Sequence, residues 1–281
     1  MSAAAAPPAC VIANARMYAV TPAVADAWRA LFAWVAADAR VDLDYVDHAA
    51  PLPLDALWRR ADLGCAFMCG YPWATWPDVA TRPAMLGAIV PAPSRYTDRP
   101  VYCTDVVVRA DVGIDDAGAL RGCRFAFTTP SSQSGYQAPR AFFAAAALAR
   151  GGALFADTVG PLMTPRAVVD AVLHGDADAG PLDSYWHDLL RRHEPATAAR
   201  LRTLASTPWT PLPPLVCAAG TPADVQARLA AALAAAGSAP ALRDVRDALQ
   251  MARIAAPRPA EYAILRDDAT RADALGYRTL R

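Results

Sequence analysis

The sequence predicts an α/β protein, a sheet with helices on both faces, and three observations predict it. Apolar runs of strand length alternate along the chain with segments of helical period. One run, Leu63 to Cys69, is apolar throughout, as a strand covered on both faces must be. Composition agrees: 55% hydrophobic and 19% charged residues over 281 positions describe a globular chain able to fill one large domain or two smaller ones.

Taken in order, Cys10 to Met17 reads as the first strand, leaving through Arg16-Met17-Tyr18. Pro22 opens a helix to about Ala39, because Val24, Trp28, Leu31 and Val35 share one face. Val41 to Asp47 alternates strictly and reads as a strand with one wet face. A short helix follows from Pro53 to Arg60, then the buried strand Leu63 to Cys69, which ends in the turn Gly70-Tyr71-Pro72-Trp73. Met85 to Val90 is a strand and Pro91 to Pro100 a proline-rich loop. Val101 to Ala110 is long for one strand and polar in its middle, at Thr104-Asp105; Val112 to Leu120 is a loop or short helix. Cys123 to Phe127 is a strand, followed by an alanine-rich helix from about Ser134 to Ala149. Strands at Leu154 to Val159, Asp178 to Leu182, Leu201 to Ala205 and Leu215 to Ala219 bracket helices at Pro165 to Leu173 and Ser184 to Arg192. Three helices complete the chain, Pro222 to Ala236, Ala241 to Met251 and Pro259 to Leu275.

Charge excludes some functions. The 27 basic and 27 acidic residues balance, so no global field draws the chain to nucleic acid or to a membrane. Every basic residue of that count is Arg, which fits a GC-rich coding bias together with the abundant Ala and Pro. No run approaches the roughly 18 apolar residues of a membrane span. The six cysteines form no metal pattern and read as small buried hydrophobes in strands. Cys65 and Cys69, four apart in one strand, would lie roughly 13 Å apart, too far for a disulfide. The four histidines give no metal pair, and His187 and His193 read as solvated on a charged helix. No nucleophile elbow, P-loop or dinucleotide fingerprint is present, so neither catalytic residues nor a cofactor is expected.

The stretch around which the chain is organised is Pro130-Ser131-Ser132-Gln133-Ser134-Gly135-Tyr136-Gln137, between a strand and a long helix. Small hydroxyls and backbone N–H groups at a helix start, with the positive end of the helix dipole behind them, suit an oxyanion. An ordinary N-cap is the plainer reading, yet three serines, a Gln and a Gly exceed what a cap needs. Ligands of open α/β sheets sit beyond the carboxyl ends of strands, here Arg16–Tyr18, Gly70–Trp73 and Thr128–Gly135.

Three blocks carry a family resemblance: Leu120-Arg121-Gly122-Cys123-Arg124-Phe125-Ala126 running into Pro130 to Tyr136 and Pro139-Arg140; Tyr102 to Asp111 upstream; and Ala167 to Ala179 with Asp183 downstream. The chain resembles the substrate-binding proteins of phosphonate, phosphite and phosphate ABC transporters, clearly from about Tyr102 to Ser206. The resemblance implies a two-lobed, periplasmic-binding-protein-like type II fold with its ligand cleft between the lobes and hinge closure on ligand. It implies lobe 1 at 9–104 plus 207–281, lobe 2 at 105–206, and crossings near 104–108 and 205–211.

The resemblance also implies a non-enzymatic role, with no catalytic residue, metal or cofactor: capture of a small oxyanion and its delivery to an ABC permease, by a monomer that contacts no nucleic acid and inserts into no membrane. Ser132, Gln133, Ser134 and Gly135 match the family's oxyanion turn, whose middle position is usually Thr. Asp183 matches an acidic residue that accepts a proton from the anion's P–OH, and also suits a helix cap. Tyr102 matches an aromatic on the crossing strand, or is a half-buried strand Tyr. Tyr71, with Trp73, is a candidate wall for an organic group, and Tyr18 and Arg16 are candidates from topology alone; a surface salt bridge is the expected fate of Arg16. Two other functions stay open: an enzyme on the same fold acting on a small organic phosphate, and a cytoplasmic ligand sensor. Met1 to Pro8 has no basic residue or apolar core of signal-peptide type, so the periplasmic location implied by the family and a cytoplasmic one both stand.

Overall fold

The structure, a computed structural model, describes residues 10–149 and 151–281. In chain order the strands and helices are β1 Val11–Asn14, α1 Pro22–Ala39, β2 Leu43–Tyr45, α2 Leu54–Trp58, β3 Leu63–Phe67, α3 Gly70–Ala74, β4 Ala84–Pro91, β5 Val101–Tyr102, β6 Thr104–Arg109 and β7 Arg124–Ala126. Then come α4 Ala138–Leu148, β8 Asp157–Val159, α5 Pro165–His174, β9 Ala179–Asp183, α6 Ser184–His193, α7 Pro195–Ala198, β10 Leu201–Ser206, β11 Thr210–Pro211, β12 Leu215–Cys217, α8 Ala223–Ala236, α9 Arg243–Ala248, β13 Met251–Ala255 and α10 Ala263–Ala274. The expected α/β alternation is present.

Two compact units divide the chain. The first comprises Met1–Met68, Trp76–Pro100 and Leu212–Pro259; the second comprises Cys69–Thr75, Val101–Pro211 and Ala260–Arg281. Two segments, and a few residues at each crossing (101–104 and 207–211), group otherwise than the bounds expected from sequence. Cys69–Thr75 and the C-terminal Ala260–Arg281 both join the unit that carries the serine turn.

The first unit is built on a six-stranded sheet in the order β13-β4-β12-β3-β1-β2. β1 runs parallel to β2 and β3, whereas β12 is antiparallel to both β3 and β4. Thr21 Oγ1 accepts from Val24 N at 3.2 Å and starts α1. The apolar face of α1 then buries Val24, Trp28, Leu31 and Val35. Trp28 meets Phe67 edge to face at 4.9 Å between centroids, and Tyr18 meets the same ring at 4.8 Å.

The second unit has a five-stranded sheet in the order β10-β6-β9-β7-β8, with a separate ribbon of β5 and β11. β6 is antiparallel to β10 and β9, and β7 is parallel to β8 and β9. Phe125 of β7 stacks on Phe155 at 4.5 Å and meets Phe143 of α4 edge to face at 5.8 Å. Tyr136, Leu154, Tyr277 and Leu280 complete that core. Arg140, buried on α4, donates to Asp273 Oδ1 at 2.7 Å, to the carbonyls of Tyr277 and Ala269, and to Gln137 Oε1. It therefore ties α10 and the chain's last turn to the helix that follows the serines.

Several elements depart from expectation. The helix expected over 241–251 is α9 followed by strand β13: Gln250 takes a left-handed φ of 46°, which ends the helix, and Met251 to Ala255 then pair with β4 as an edge. The expected strand over 101–110 breaks at Cys103 into β5 and β6. Gly70 to Ala74 winds into a short helix instead of a simple turn. Among the described residues Arg16 makes no surface ion pair; it donates to the carbonyls of His48 (3.1 Å) and Leu52. Cys10 and Cys123 are only half-buried, and the other four cysteines are buried.

Candidate functional site

The serine turn is built by backbone geometry before any side chain acts. Gln137 N donates to Ser132 O at 3.0 Å and Ala138 N donates to Gln133 O, so the first turn, Gln133–Gln137, is one residue wider than α-helical. Ser132 is the N-cap, its Oγ accepting from Gly135 N at 3.0 Å. Its hydroxyl proton remains a donor. Gly135 is dictated by packing: a Cβ there would lie 1.9 Å from Thr128 Oγ1 and 2.9 Å from Ser132 Oγ. Wide first turns of this kind gather at functional sites.

Two further strand ends hold the turn. Thr104, the first residue of β6, donates its hydroxyl to Ser134 O at 3.1 Å. Thr104 is paired across the ladder with Asp183, the last residue of β9. Asp183 Oδ1 accepts from Tyr185 N at 2.9 Å and Trp186 N at 3.1 Å, capping α6. A carboxylate offers about four lone-pair positions, so capping and ligand contact are compatible. Beside them, Cys69 Sγ accepts from Gln133 N at 3.2 Å. Burial pushes that thiol up to about 11, so at neutral pH it is a neutral SH.

Tyr102 is buried within this group. Burial raises its phenol well above the ordinary value, with Cys69, Asp183 and Tyr262 acting in the same direction, so it stays a neutral O–H. Tyr102 OH, Thr128 Oγ1 and Gln133 Oε1 are buried side-chain atoms with no hydrogen-bond partner among the described residues. Such atoms are rare in native proteins, and each costs about 1–3 kcal/mol.

The sequence profile of one family covers most of this structure: ABC transporter, phosphonate, periplasmic substrate-binding protein, matched over residues 66–262. The chain belongs to that family. A search of the curated proteins matched nothing. Among solved structures, a binding protein component of an ABC phosphonate transporter from Pseudomonas aeruginosa aligns with a TM-score of 0.80 and 15% identity, over 95% of this chain and 87% of that one. PhnD1 from Prochlorococcus marinus, solved in complex with methylphosphonate, aligns with a TM-score of 0.73 and 15% identity, over 95% and 99% of the two chains. XAC2383 from Xanthomonas citri, solved bound to ATP, aligns at 0.67 with 16% identity, over 96% and 98%. At these identities the likeness establishes the fold, a type II periplasmic-binding-protein fold of two lobes. Among the described residues no helix is long and apolar enough to cross a membrane.

In this phosphonate-family chain, six residues expected from sequence gather in the second unit around the turn: Ser132, its cap, with Gln133, Ser134, Gly135, Asp183 and Tyr102. Tyr71 lies half-buried on α3 of the same unit, where Trp73 packs at 5.5 Å against Tyr262. Tyr18 lies in the first unit, fully buried in its aromatic core against Phe67. Thr128, Cys69 and Tyr262 are the residues that the sequence did not single out. The positions of Cys69 and Tyr262 depend on Cys69–Thr75 and Ala260–Arg281 joining this unit, which no local pattern announces.

His187 corrects a further expectation. It is buried, not solvated, with Nδ1 2.9 Å from Asp105 Oδ2. Ser206 Oγ donates to the other oxygen, Asp105 Oδ1, at 2.8 Å. The serine therefore faces the carboxylate and not the imidazole, which is not the wiring of a nucleophile and its base. As for metals, Cys10, Asp42 and Asp44 bring one donor atom each within 4.8 Å of one another in the first unit. Both carboxylates are exposed, and a closed structural zinc site takes four ligands.

Proposed function

We propose that this chain captures a small oxyanion of the phosphonate, phosphite or phosphate type at the Ser132–Gly135 turn and delivers it to an ABC permease from the periplasm. The observation that carries the reading is the cluster of buried, unpartnered polar atoms, Tyr102 OH, Thr128 Oγ1 and Gln133 Oε1, around a widened helix start. Two of the three are neutral hydroxyls able to donate, and the third belongs to an amide that can present its NH₂ or its oxygen. Backbone N–H groups and the helix dipole supply the remaining attraction.

The donors named at this turn are uncharged, and the nearby acidic group is the Asp183 carboxylate, on the residue paired with the Thr104 that holds Ser134 O. A dianion beside a carboxylate meets repulsion in a buried setting, whereas a monoprotonated anion shares its proton with Asp183. The site therefore favours oxyanions that carry a proton near neutral pH, and sulfate, fully ionised there, is disfavoured. Gln133, standing where the family usually has Thr, adds a second group able to accept that proton.

Isothermal calorimetry with methylphosphonate, phosphite, phosphate and sulfate tests this. The expected result is binding of one or more of the first three and weak or no binding of sulfate. Loss of that binding in Ser132→Ala/Ser134→Ala places it at the turn. Tight binding of sulfate, or wild-type affinity in the double variant, would refute the reading.

A further inference from the structure

Behind the anion turn lies a buried acid–imidazole pair that anion contact does not use. Asp105, the second residue of β6, is 0% exposed and His187 is 1% exposed. The register places Asp105 opposite Leu182 on β9 and opposite Ser206 on β10. Each neighbour of the pair reaches the site in one step. Thr104, adjacent to Asp105, holds the Ser134 carbonyl at 3.1 Å. His187 lies one helical turn beyond Asp183, the cap of α6. Ser184 closes the connection: its N–H donates to Cys103 O at 3.0 Å and its Oγ accepts from Cys103 N at 3.1 Å.

The hydrogen bond fixes the tautomer. A carboxylate only accepts, so His187 Nδ1 carries the proton and Nε2 is left as a lone pair. Nε2 is buried and has no hydrogen-bond partner among the described residues. The charged and titratable groups around the ring are Asp105 from β6, Asp188 and Arg191 from its own helix, and the Cys103 thiol, whose Sγ lies 3.8 Å from Asp105 Oδ1. A second proton would place an N–H at Nε2 with no acceptor, near the Arg191 cation and opposed only in part by Asp105 and Asp188, and movement of α6 would relieve it.

We propose that Asp105 and His187 are a positioning pair for the anion site: with His187 neutral they hold the start of α6, and with it Asp183, against the strand that anchors the serine turn, and a proton on His187 Nε2 releases that alignment. This rests on the anion-capture reading above. Burial lowers the imidazole from its ordinary value, and the Asp105 hydrogen bond opposes that only in part. The sign follows: neutral His187 is favoured in the folded chain, its contribution is complete above the ordinary histidine value of about 6.5, and it is lost as pH falls below that. Anion affinity therefore has an acid limb set by the protein. It lies below the second ionisation of phosphate-like groups, near about 6–7, so the ligand stays a monoanion throughout it.

The test has two arms. In the ligand-free protein, the His187 ring signal, assigned with His187→Asn, is followed by NMR between about pH 4.5 and 7.5, a window that spans the ordinary histidine value and reaches well below it. The expected result is an Nδ1–H tautomer that titrates below about 6.5, with the backbone amides of Tyr185, Trp186 and Gln133 to Gly135 moving at the same midpoint. Amides that do not follow the ring, or a midpoint at or above the ordinary value, overturn the proposal without reference to any ligand. In the second arm, calorimetry with methylphosphonate should show wild-type affinity falling by up to tenfold per pH unit below that midpoint. His187→Asn keeps a donor where Nδ1 stands and takes no proton, so its affinity should be flat over the same range. Parallel acid limbs in the two proteins overturn the proposal. If methylphosphonate does not bind at any pH, the anion reading fails and the amide titration still decides this one. Should His187→Asn not fold, substituting His48, His174 and His193 assigns the ring by elimination, and the wild-type titration decides alone.

Discussion

Replacing Gly135 by Ala is the sharpest probe of the serine turn, because two known effects oppose each other there. Ala is favoured over Gly within a helix by about 1 kcal/mol. Against that, the new methyl would lie 1.9 Å from Thr128 Oγ1 and 2.9 Å from both Thr128 Cβ and Ser132 Oγ, distances that real Cβ atoms do not show. Overpacking of this kind costs roughly 1–3 kcal/mol. The cheapest relief moves residue 135 away from Ser132, which sacrifices the cap bond from Gly135 N, worth about 1 kcal/mol. The balance is a loss of roughly 1–3 kcal/mol in urea unfolding. Binding suffers separately. A displaced turn loses at least one hydrogen bond to a charged group, about 1.5–3 kcal/mol, so methylphosphonate affinity should fall about ten- to a hundredfold. Thr128→Gly removes both crowded atoms, and in a double-mutant cycle it should return at least about 1 kcal/mol of the Gly135→Ala loss. Unfolding at the wild-type urea midpoint together with wild-type affinity in Gly135→Ala would show that the crowding is not real.

Three further outcomes are expected. Ser132→Ala/Ser134→Ala should weaken methylphosphonate binding by roughly 2–5 kcal/mol by calorimetry, and should also cost about 1 kcal/mol of stability, because Ser132 is a cap. Asp183→Asn should keep α6 capped, since Asn caps as well as Asp, while flattening the weakening of affinity expected of the wild type between about pH 6.5 and 8.5 as the ligand loses its last proton. Parallel curves would reduce Asp183 to a cap. Arg140→Met should cost about 3 kcal/mol in urea, because it leaves Gln137 Oε1 and the carbonyls of Ala269 and Tyr277 without their donor; an unchanged midpoint would mean that these bonds contribute nothing net.

What the sequence disclosed follows from which signals are local. Helix α1 was readable end to end, because Pro22 and a clean apolar face both speak for it. The serine turn was readable for the same reason, and so was the cap at Asp183. Strand β13 was hidden because the ladder shifts register between Met251 and Arg253, which breaks the alternation by which strands are recognised. His187 was misread because Asp188, Arg191 and Arg192 beside it speak for a wet helix, while its partner Asp105 lies 82 residues away. Cys69 and Tyr262 were out of reach for the same cause: each enters the site through a segment that joins the second unit from far along the chain. Local pattern gave the turn, and long-range pairing decided what surrounds it.

The Arg140 junction has a consequence for how the protein is made. Arg140 bonds Asp273 and Tyr277 across 133 and 137 residues, and Leu280 N donates to Tyr136 OH across 144. The helix behind the serines thus finds these partners only when residues 269–280 have left the ribosome. Contacts of such separation are slow to form, because the entropy of closing the loop is lost before any bond returns it. During synthesis the serine turn therefore stays without its supporting helix α10 after its own residues have emerged. A chain in that condition remains available to a chaperone until those residues emerge.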